Sequence, residues 1–319
     1  MKKPHTYNDI WINGKVIQEG ARPSEERYLK IAKFCENYKR PFSVLDIGAA
    51  EGYFTHRLAS EFDGTFTAVE ADESRCLLDV CKKNNNDKVF LLQKRFNLET
   101  LKRIAEVHYF DVILALNIIH HFDEPFQEVL DVIMSMCSYC LFEHPDEEED
   151  KKTINFHRLK TEKLNLSKYD SKFLVDTNRW SNINRKLYQL QNSALKKIKR
   201  KHTQGDYYKE GEGIIIDTSF SDISVRYLHR EENRPWILGM NLRLFLECDG
   251  VYPTHARIFE MIDKMKISGD KLDLGPANLL LSNEKIDLID QNDHADLITN
   301  KKELKEYLIS GSYIPNMSP

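Results

Sequence analysis

"VLDIGAAEGYFTHRLAS", Val44 to Ser60, decides how this chain is read. An apolar run ends at Asp46, small residues crowd Gly48, Ala49, Ala50 and Gly52, and a helical pattern follows. Strand, tight small-residue turn and helix, in that order, let a nucleotide-like ligand lie against backbone that no bulky side chain obstructs. Outward from this stretch the pattern repeats as far as His144. "TFTAVEA", "VFLLQ", "FDVILAL" and "YCLFEH" read as strands, separated by the helical stretches "ESRCLLDVCKKN", "LETLKRIAEV" and "PFQEVLDVIMSMC". Short apolar strands alternating with amphipathic helices predict an α/β fold, a doubly wound parallel sheet with helices on both faces. Its ligands sit beyond the C-terminal ends of the strands.

The flanks divide the chain into three. Residues 1–40 contain "SEERYLKIAKFCENY", a predicted helix with Ser24 as N-cap and an apolar stripe at Tyr28, Ile31 and Phe34 or Cys35. This segment is expected to form a lid before the core at 41–150. Residues 151–319 form a C-terminal α+β extension, either a small domain or an elaboration, that could bind an acceptor. Its first part, to residue 204, is polar and expected to be partly helical. Strand signals return at "GEGIIIDTSFSDISVRYL", "THARIFEMIDKM" reads as a helix, and "LLLSNEKIDLID" as a hairpin. "RPWILGMNLRLFLECDGVYP", with Trp236, Gly239, Gly250 and Tyr252, is either an acceptor pocket or a core for this half.

Net charge excludes little. With 46 basic against 50 acidic residues the chain carries −4, so no global field draws it to nucleic acid. The opening "MKKPHTYNDIWING" lacks the apolar run of a signal peptide and no later segment is long enough to span a bilayer, so a soluble, cytoplasmic protein is expected. Six scattered cysteines do not read as a disulfide framework. Cys137 and Cys140 have metal-ligand spacing, but no second pair completes a tetrahedral site, and no metal is expected.

The glycine turn separates two kinds of cofactor. A dinucleotide site wants G-x-G-x-x-G, and counting from Gly48 the last position is Tyr53, a bulky misfit. The small residues fall instead at Gly48, Ala50 and Gly52, after the acidic Asp46. That spacing resembles motif I of the class I S-adenosylmethionine-dependent methyltransferases, and the likeness runs over residues 43–144. It implies an enzyme with a Rossmann-like core and S-adenosyl-L-methionine as cofactor. The cofactor would contact Asp46, Gly48, Ala49, Ala50, Gly52 and Phe54 around the turn. Glu70, eighteen residues after Gly52 at the end of the next strand, can accept both ribose hydroxyls, with Ala71 beside it. Phe96 and Asn97 would meet the adenine. Leu116 and Asn117, in the stretch matching motif IV, would lie beside the methionine part, whose carboxylate Arg27 could clamp; Trp11 and Arg22 belong to the same N-terminal lid.

Methyl transfer requires an acceptor held in line with the sulfonium carbon and, for a hydroxyl, removal of its proton. His120 and His121 follow the motif IV stretch and suit that task, with Glu143 and His144 as second candidates. The "HHF" turn and N-terminal arrangement are similar to bacterial methyltransferases that cap O-antigen polysaccharides. The acceptor is therefore expected to be a saccharide, a phosphorylated sugar or another small metabolite, methylated on oxygen. Three alternatives remain. Lys196, Lys197, Lys199, Arg200 and Lys201 could hold RNA phosphates, making the partner a nucleic acid. The fold could be a non-catalytic binding module. Asp273, Asn278 and Asp290 resemble the catalytic and metal-binding segments of protein-kinase-like phosphotransferases, although no glycine-rich loop with a following lysine accompanies them.

Overall fold

Phe42–Ile47 is buried at every position, as a strand must be when helices cover both faces of its sheet. The computed structural model describes residues 6–38, 41–145, 164–178, 184–192, 195–200, 211–216, 239–265, 274–276, 279–282, 285–288 and 298–310. A hairpin of β1 (Ile10–Ile12) and β2 (Lys15–Gln18) precedes α1 (Glu25–Cys35). The core then runs β3 (Phe42–Ile47), α2 (Tyr53–Glu61), β4 (Gly64–Val69), α3 (Leu77–Asn84), β5 (Val89–Leu92), α4 (Leu98–Val107), β6 (Phe110–Leu116), α5 (Phe126–Ser135) and β7 (Cys137–His144). A 3-10 turn, Ile119–His121, joins β6 to α5.

Strands β8 (Asp170–Asn178) and β9 (Asn184–Gln191) follow, then β10 (Leu195–Arg200) and β11 (Gly211–Ile216). The remainder is β12 (Met240–Asn241), α6 (Leu242–Glu247), β13 (Gly250–Tyr252), α7 (His255–Lys264), β14 (Leu279–Ser282), β15 (Lys285–Leu288) and α8 (Lys301–Ser310).

The principal sheet has eight strands in the order β13-β5-β4-β3-β6-β7-β9-β8. β3 pairs in parallel with β4 on one side and β6 on the other, so the strand order reverses there and opens a crevice at the C-terminal ends. Alternate strand residues face two cores. Val44, Phe66, Leu91, Val112 and Leu141 pack under α1 and α2 with Tyr28, Ile31 and Leu58. Leu45, Phe90, Ile113 and Phe142 pack under α4 and α5 with Leu101, Phe126 and Leu130. Each such side chain contributes about 1.5–3 kcal/mol when fully buried, which outweighs the few tenths that individual helix propensities supply.

The C-terminal extension is in part an elaboration of the core sheet: β8 and β9 extend it antiparallel beyond β7, and β13 pairs antiparallel with β5 at the other edge. Of the stretch expected to be partly helical, residues 151–163 lie outside the described residues; the described residues between 164 and 200 form β8, β9 and β10 with one 3-10 turn, and in β9 Arg185 and Leu187 are buried at a spacing of two, the period of a strand. Ser24 does occupy the N-cap position of α1, but its hydroxyl makes no capping bond; it donates to the Arg22 carbonyl at 3.2 Å. The expected hairpin appears as β14–β15, with β12 completing a three-stranded sheet, and the expected helix as α7. Gly250 packs on Phe245 and Tyr252 is buried in the core, while Trp236 lies outside the described residues.

Candidate active site

A cavity of about 350 Å³ opens at the C-terminal ends of β3, β4, β5 and β6. The turn after β3 makes room for it. Gly48 sits at φ 74°, and a Cβ there would come within 2.5 Å of the Ile118 Cδ1. The Gly48 and Ala49 amides both donate to the Val69 carbonyl at 2.9 Å, fixing the turn on β4. Ala50 holds φ 53°, a left-handed conformation uncommon for a residue with a Cβ. Gly52 is the left-handed N-cap of α2, where a Cβ would meet Leu77 at 2.4 Å.

Glu70, one residue past β4, lines the cavity. Its two carboxylate oxygens accept from the Ala50 amide at 2.8 Å and the Asp72 amide at 2.9 Å. Each oxygen keeps a further lone pair, so the carboxylate is held rigid yet able to accept a pair of hydroxyls. Burial pushes its titration up, opposed by those amides. Phe96, 6% exposed, lies along the same end, and Ala71, Leu116 and Asn117 continue the wall. A small-residue turn, an oriented strand-end acid and an aromatic wall together fit the adenosine part of S-adenosylmethionine.

Of the residues singled out in the sequence, Gly48, Ala50, Glu70, Ala71, Phe96, Leu116, Asn117, His120 and His121 meet at the cavity. Others lie away from its wall. Asp46 is buried, accepts from the Thr55 hydroxyl at 2.7 Å, and is pushed up to about 7 by desolvation. Asn97 caps α4, its side chain accepting from the Thr100 amide at 2.8 Å. Ala49, Gly52 and Phe54 back the turn from the core side, with Phe54 under the Arg27 guanidinium at 4.9 Å. Trp11 is a core residue.

Arg27 does not reach the cavity wall either. Its Nη2 donates to the Asn8 side chain at 3.0 Å and its Nη1 stands 3.6 Å from Glu143. Glu143 is fully buried, ion-paired with Arg22 and Arg27, and accepts from the Thr177 hydroxyl at 2.5 Å. Burial alone would raise its carboxyl, but Arg22 and Arg27, with Thr177 and Asn117, hold it below its ordinary range. Glu143, a second candidate for the base in the sequence, is thus enclosed among Arg22, Arg27 and Thr177 and is not among the residues lining the cavity. His144 packs between Phe126 and Phe142, its ring 5.5 and 5.9 Å from theirs, and does not line the cavity.

His120 and His121 both line it, with ring centroids 4.2 Å apart. His120 is 6% exposed and His121 faces solvent on its outer side. The His121 titration is lowered by burial of its inner side, then by Arg95, Arg185 and Arg75, so the ring is neutral at pH 7 and able to accept a proton. Asn117, at φ 62°, turns the chain out of β6 toward the pair.

Sequence reasoning missed Glu51 and Arg185. Glu51 accepts from the amides of Tyr7 and Asn8 at 2.9 and 2.7 Å and from Arg75 at 2.9 Å, fastening the N-terminal segment over the turn. Its place between Ala50 and Gly52 was the one available signal. Arg185, on β9, donates to the Asn117 side chain and lines the cavity. Of the basic cluster, Lys196, Lys197, Lys199 and Arg200 lie on β10, which pairs with β11, and Lys201 lies outside the described residues. So do Asp273, Asn278 and Asp290. All six cysteines are free, and no metal-binding cluster of His, Cys, Asp or Glu occurs among the described residues. Among those residues no helix is long and apolar enough to cross a membrane.

A family model described as "Methyltransferase domain" matches residues 45–138. No curated protein sequence matches the chain. Among solved structures, WbdD in complex with the kinase inhibitor LY294002 is 15% identical, covers 91% of this chain and 80% of its own, and superposes with a TM-score of 0.51. WbdD with its C-terminal bundle ordered gives the same identity and TM-score over 99% of this chain and 78% of its own. The N-terminal domain of EvdMO1, solved in the presence of SAH and D-fucose, is 15% identical over 59% of this chain and 91% of its own, with a TM-score of 0.42. The domain match spans the turn, the strand-end acid and the β6 end that build the cavity: residues 45–138 are a methyltransferase domain, with S-adenosylmethionine as its cofactor.

Proposed function

We propose that the enzyme methylates an oxygen of a saccharide, a phosphorylated sugar or a similarly polar small metabolite. The observation that carries this reading is the histidine pair at the cavity, with Lys94 and Arg95 on the same wall. When bound, S-adenosylmethionine supplies an electrophilic methyl group on a sulfonium. The turn residues Gly48 and Ala50 admit its nucleoside, Glu70 accepts the ribose hydroxyls, and Phe96 covers the adenine. Leu116 and Asn117 place the methyl-bearing end before His120 and His121. The acceptor hydroxyl forms the new C–O bond as the C–S bond breaks, and its proton passes to a histidine nitrogen. Lys94 and Arg95 suit an acceptor that carries negative charge. An acceptor that attacks through a phosphate oxygen is already ionised and needs no base.

Single substitutions of His120 and His121 by alanine separate these cases. With a hydroxyl acceptor, one of them lowers turnover by about 10²–10⁴-fold and leaves S-adenosylhomocysteine affinity unchanged. Full turnover in both variants removes the histidine base. Loss of cofactor affinity in both makes the pair structural.

A second reading concerns the C-terminal third. The likeness to WbdD extends over nine-tenths of the chain, and the hairpin β14–β15 is the element around which Asp273, Asn278 and Asp290 are spaced in sequence. We propose that this part descends from a phosphotransferase and retains nucleotide binding. Calorimetry with ATP and magnesium should show binding that Asp290→Asn abolishes; no binding in the parent protein leaves only a remnant fold.

A further inference from the structure

Three arginines converge beneath the β6 end of the cavity, Arg22 and Arg27 from the N-terminal segment and Arg185 from β9, each no more than 2% exposed. Arg22 and Arg27 are engaged by Glu143. Of the three, Arg185 is the one that lines the cavity. Its Nη1 donates to the Asn117 Oδ1, and Asn117 itself is fixed by its amide, which donates to the Glu143 carbonyl at 2.8 Å. The Thr177 hydroxyl lies 3.0 Å from the Arg185 carbonyl on the strand beneath. The guanidinium is therefore placed by two strands and a turn.

The cavity has a direction. Glu70, Ala71 and Phe96 mark the nucleoside end, beyond β4 and β5. Of the other cations on the wall, Arg75 and Lys94 follow β4 and β5 in sequence, while Arg95 reaches across to donate to the His121 carbonyl at 3.3 Å. Arg75 is tied to Glu51 and Lys94 to the Glu247 carbonyl. A ligand whose ribose is held by Glu70 extends its amino-acid end across Gly48 toward Asn117, and the cation bonded to Asn117 on that wall is Arg185. A carboxylate matches the planar two-pronged donor set of a guanidinium, and a water-poor site strengthens the contact.

We propose that Arg185 binds the carboxylate of the methionine part of S-adenosylmethionine, the task the sequence suggested for Arg27. The extension that follows the matched domain then completes the cofactor site: β9 supplies a binding residue as well as a sheet edge. The inference rests on the methyltransferase reading of the cavity, and the test separates the two.

Calorimetry on the full chain compares S-adenosylhomocysteine, which carries the carboxylate, with 5′-methylthioadenosine, which lacks it. Arg185→Met should weaken S-adenosylhomocysteine about 10- to 100-fold, the worth of a charge-assisted contact, while 5′-methylthioadenosine changes less than about threefold. If that variant does not fold, Arg185→Lys carries the test, with a selective loss of about three- to tenfold expected from a single-pronged cation. Equal weakening of both ligands shows that Arg185 only supports the cavity and overturns the proposal. Unchanged S-adenosylhomocysteine affinity overturns it too and assigns the guanidinium to the acceptor. If the parent protein binds neither ligand, the methyltransferase reading falls first and the proposal with it.

Discussion

Asp46 and Glu143 are buried carboxyl groups near the C-terminal ends of two parallel strands, β3 and β7, yet the fold shifts their titration in opposite directions. Asp46 has one hydroxyl donor, Thr55, and burial pushes it up to about 7. Glu143 has two guanidinium groups and the Thr177 hydroxyl, and is held below its ordinary range despite equal enclosure. Asp46 belongs to the local half of the site, where strand, turn and helix come from one continuous stretch. Glu143 belongs to the assembled half, where residues 22, 27, 117, 143, 177 and 185 meet from widely separated parts of the chain. A locally built site can leave a carboxyl poorly solvated because the neighbouring backbone holds the geometry. An assembled one needs the charge itself to bring its parts together.

The largest expected effect breaks the assembled half. Glu143→Ala leaves Arg22 and Arg27 buried without their shared carboxylate, and such a loss costs about 3–5 kcal/mol. Chemical denaturation should show the full deficit near neutral pH. Because Glu143 titrates below its ordinary range, its contribution is present above the ordinary carboxylate pKa and disappears as pH falls through the lowered folded value. Parent and variant should therefore converge in acid. A deficit below about 1 kcal/mol would show that the cluster tolerates water and is not a dry ion pair.

These two halves also differ in how much the sequence reveals. The turn at Gly48–Gly52, the acid at Glu70 and the five alternating strands are legible because each rests on short spacings: a period of two in strands, 3.6 in helices, and small residues where the backbone turns left-handed. Asn97 was ambiguous because a strand-end amide looks alike whether it meets a ligand or caps α4, and the structure shows its Oδ1 accepting from the Thr100 amide at 2.8 Å. Arg27 and Arg185 could not be told apart at all. An arginine shows no period, and which of them faces the cavity depends on β9 folding back beside β7 across about forty residues of polar sequence. The strands of that stretch were hidden for the same reason, since their apolar positions are few and their burial comes from one face.

The local half predicts the opposite pH dependence. The folded state binds a proton at Asp46 more tightly than the unfolded chain does, so the stability from this group is complete below pH 4 and is lost as pH rises through about 7. Asp46→Asn keeps the hydrogen-bonding shape and cannot ionise. The variant should match the parent near pH 4 and exceed it by about 1–3 kcal/mol at pH 8, the scale set by a carboxyl kept from its usual range. Read together, the two variants should shift the parent's stability profile in opposite directions. A variant no more stable than the parent at pH 8 would mean that Asp46 is ionised and solvated in the native state.

The smallest expected effect is at the centre of the turn. Ala50 holds φ 53°, and its left-handed conformation costs a residue with a Cβ about 1–2 kcal/mol relative to glycine. Ala50→Gly removes that strain but adds freedom to the unfolded chain worth about 0.4–1 kcal/mol, so the net gain should lie between about zero and about 1.6 kcal/mol. The Ala50 amide donates to Glu70 at 2.8 Å through backbone, which the substitution leaves in place, so the Glu70 carboxylate keeps its orientation. Melting temperature should rise by a few degrees at most while S-adenosylhomocysteine affinity stays within about twofold. Destabilisation instead would show that the Ala50 methyl packs usefully: the residue is only 5% exposed. A fall in affinity would show that the methyl touches the ligand, and that the local half reads its cofactor through a side chain as well as through its backbone.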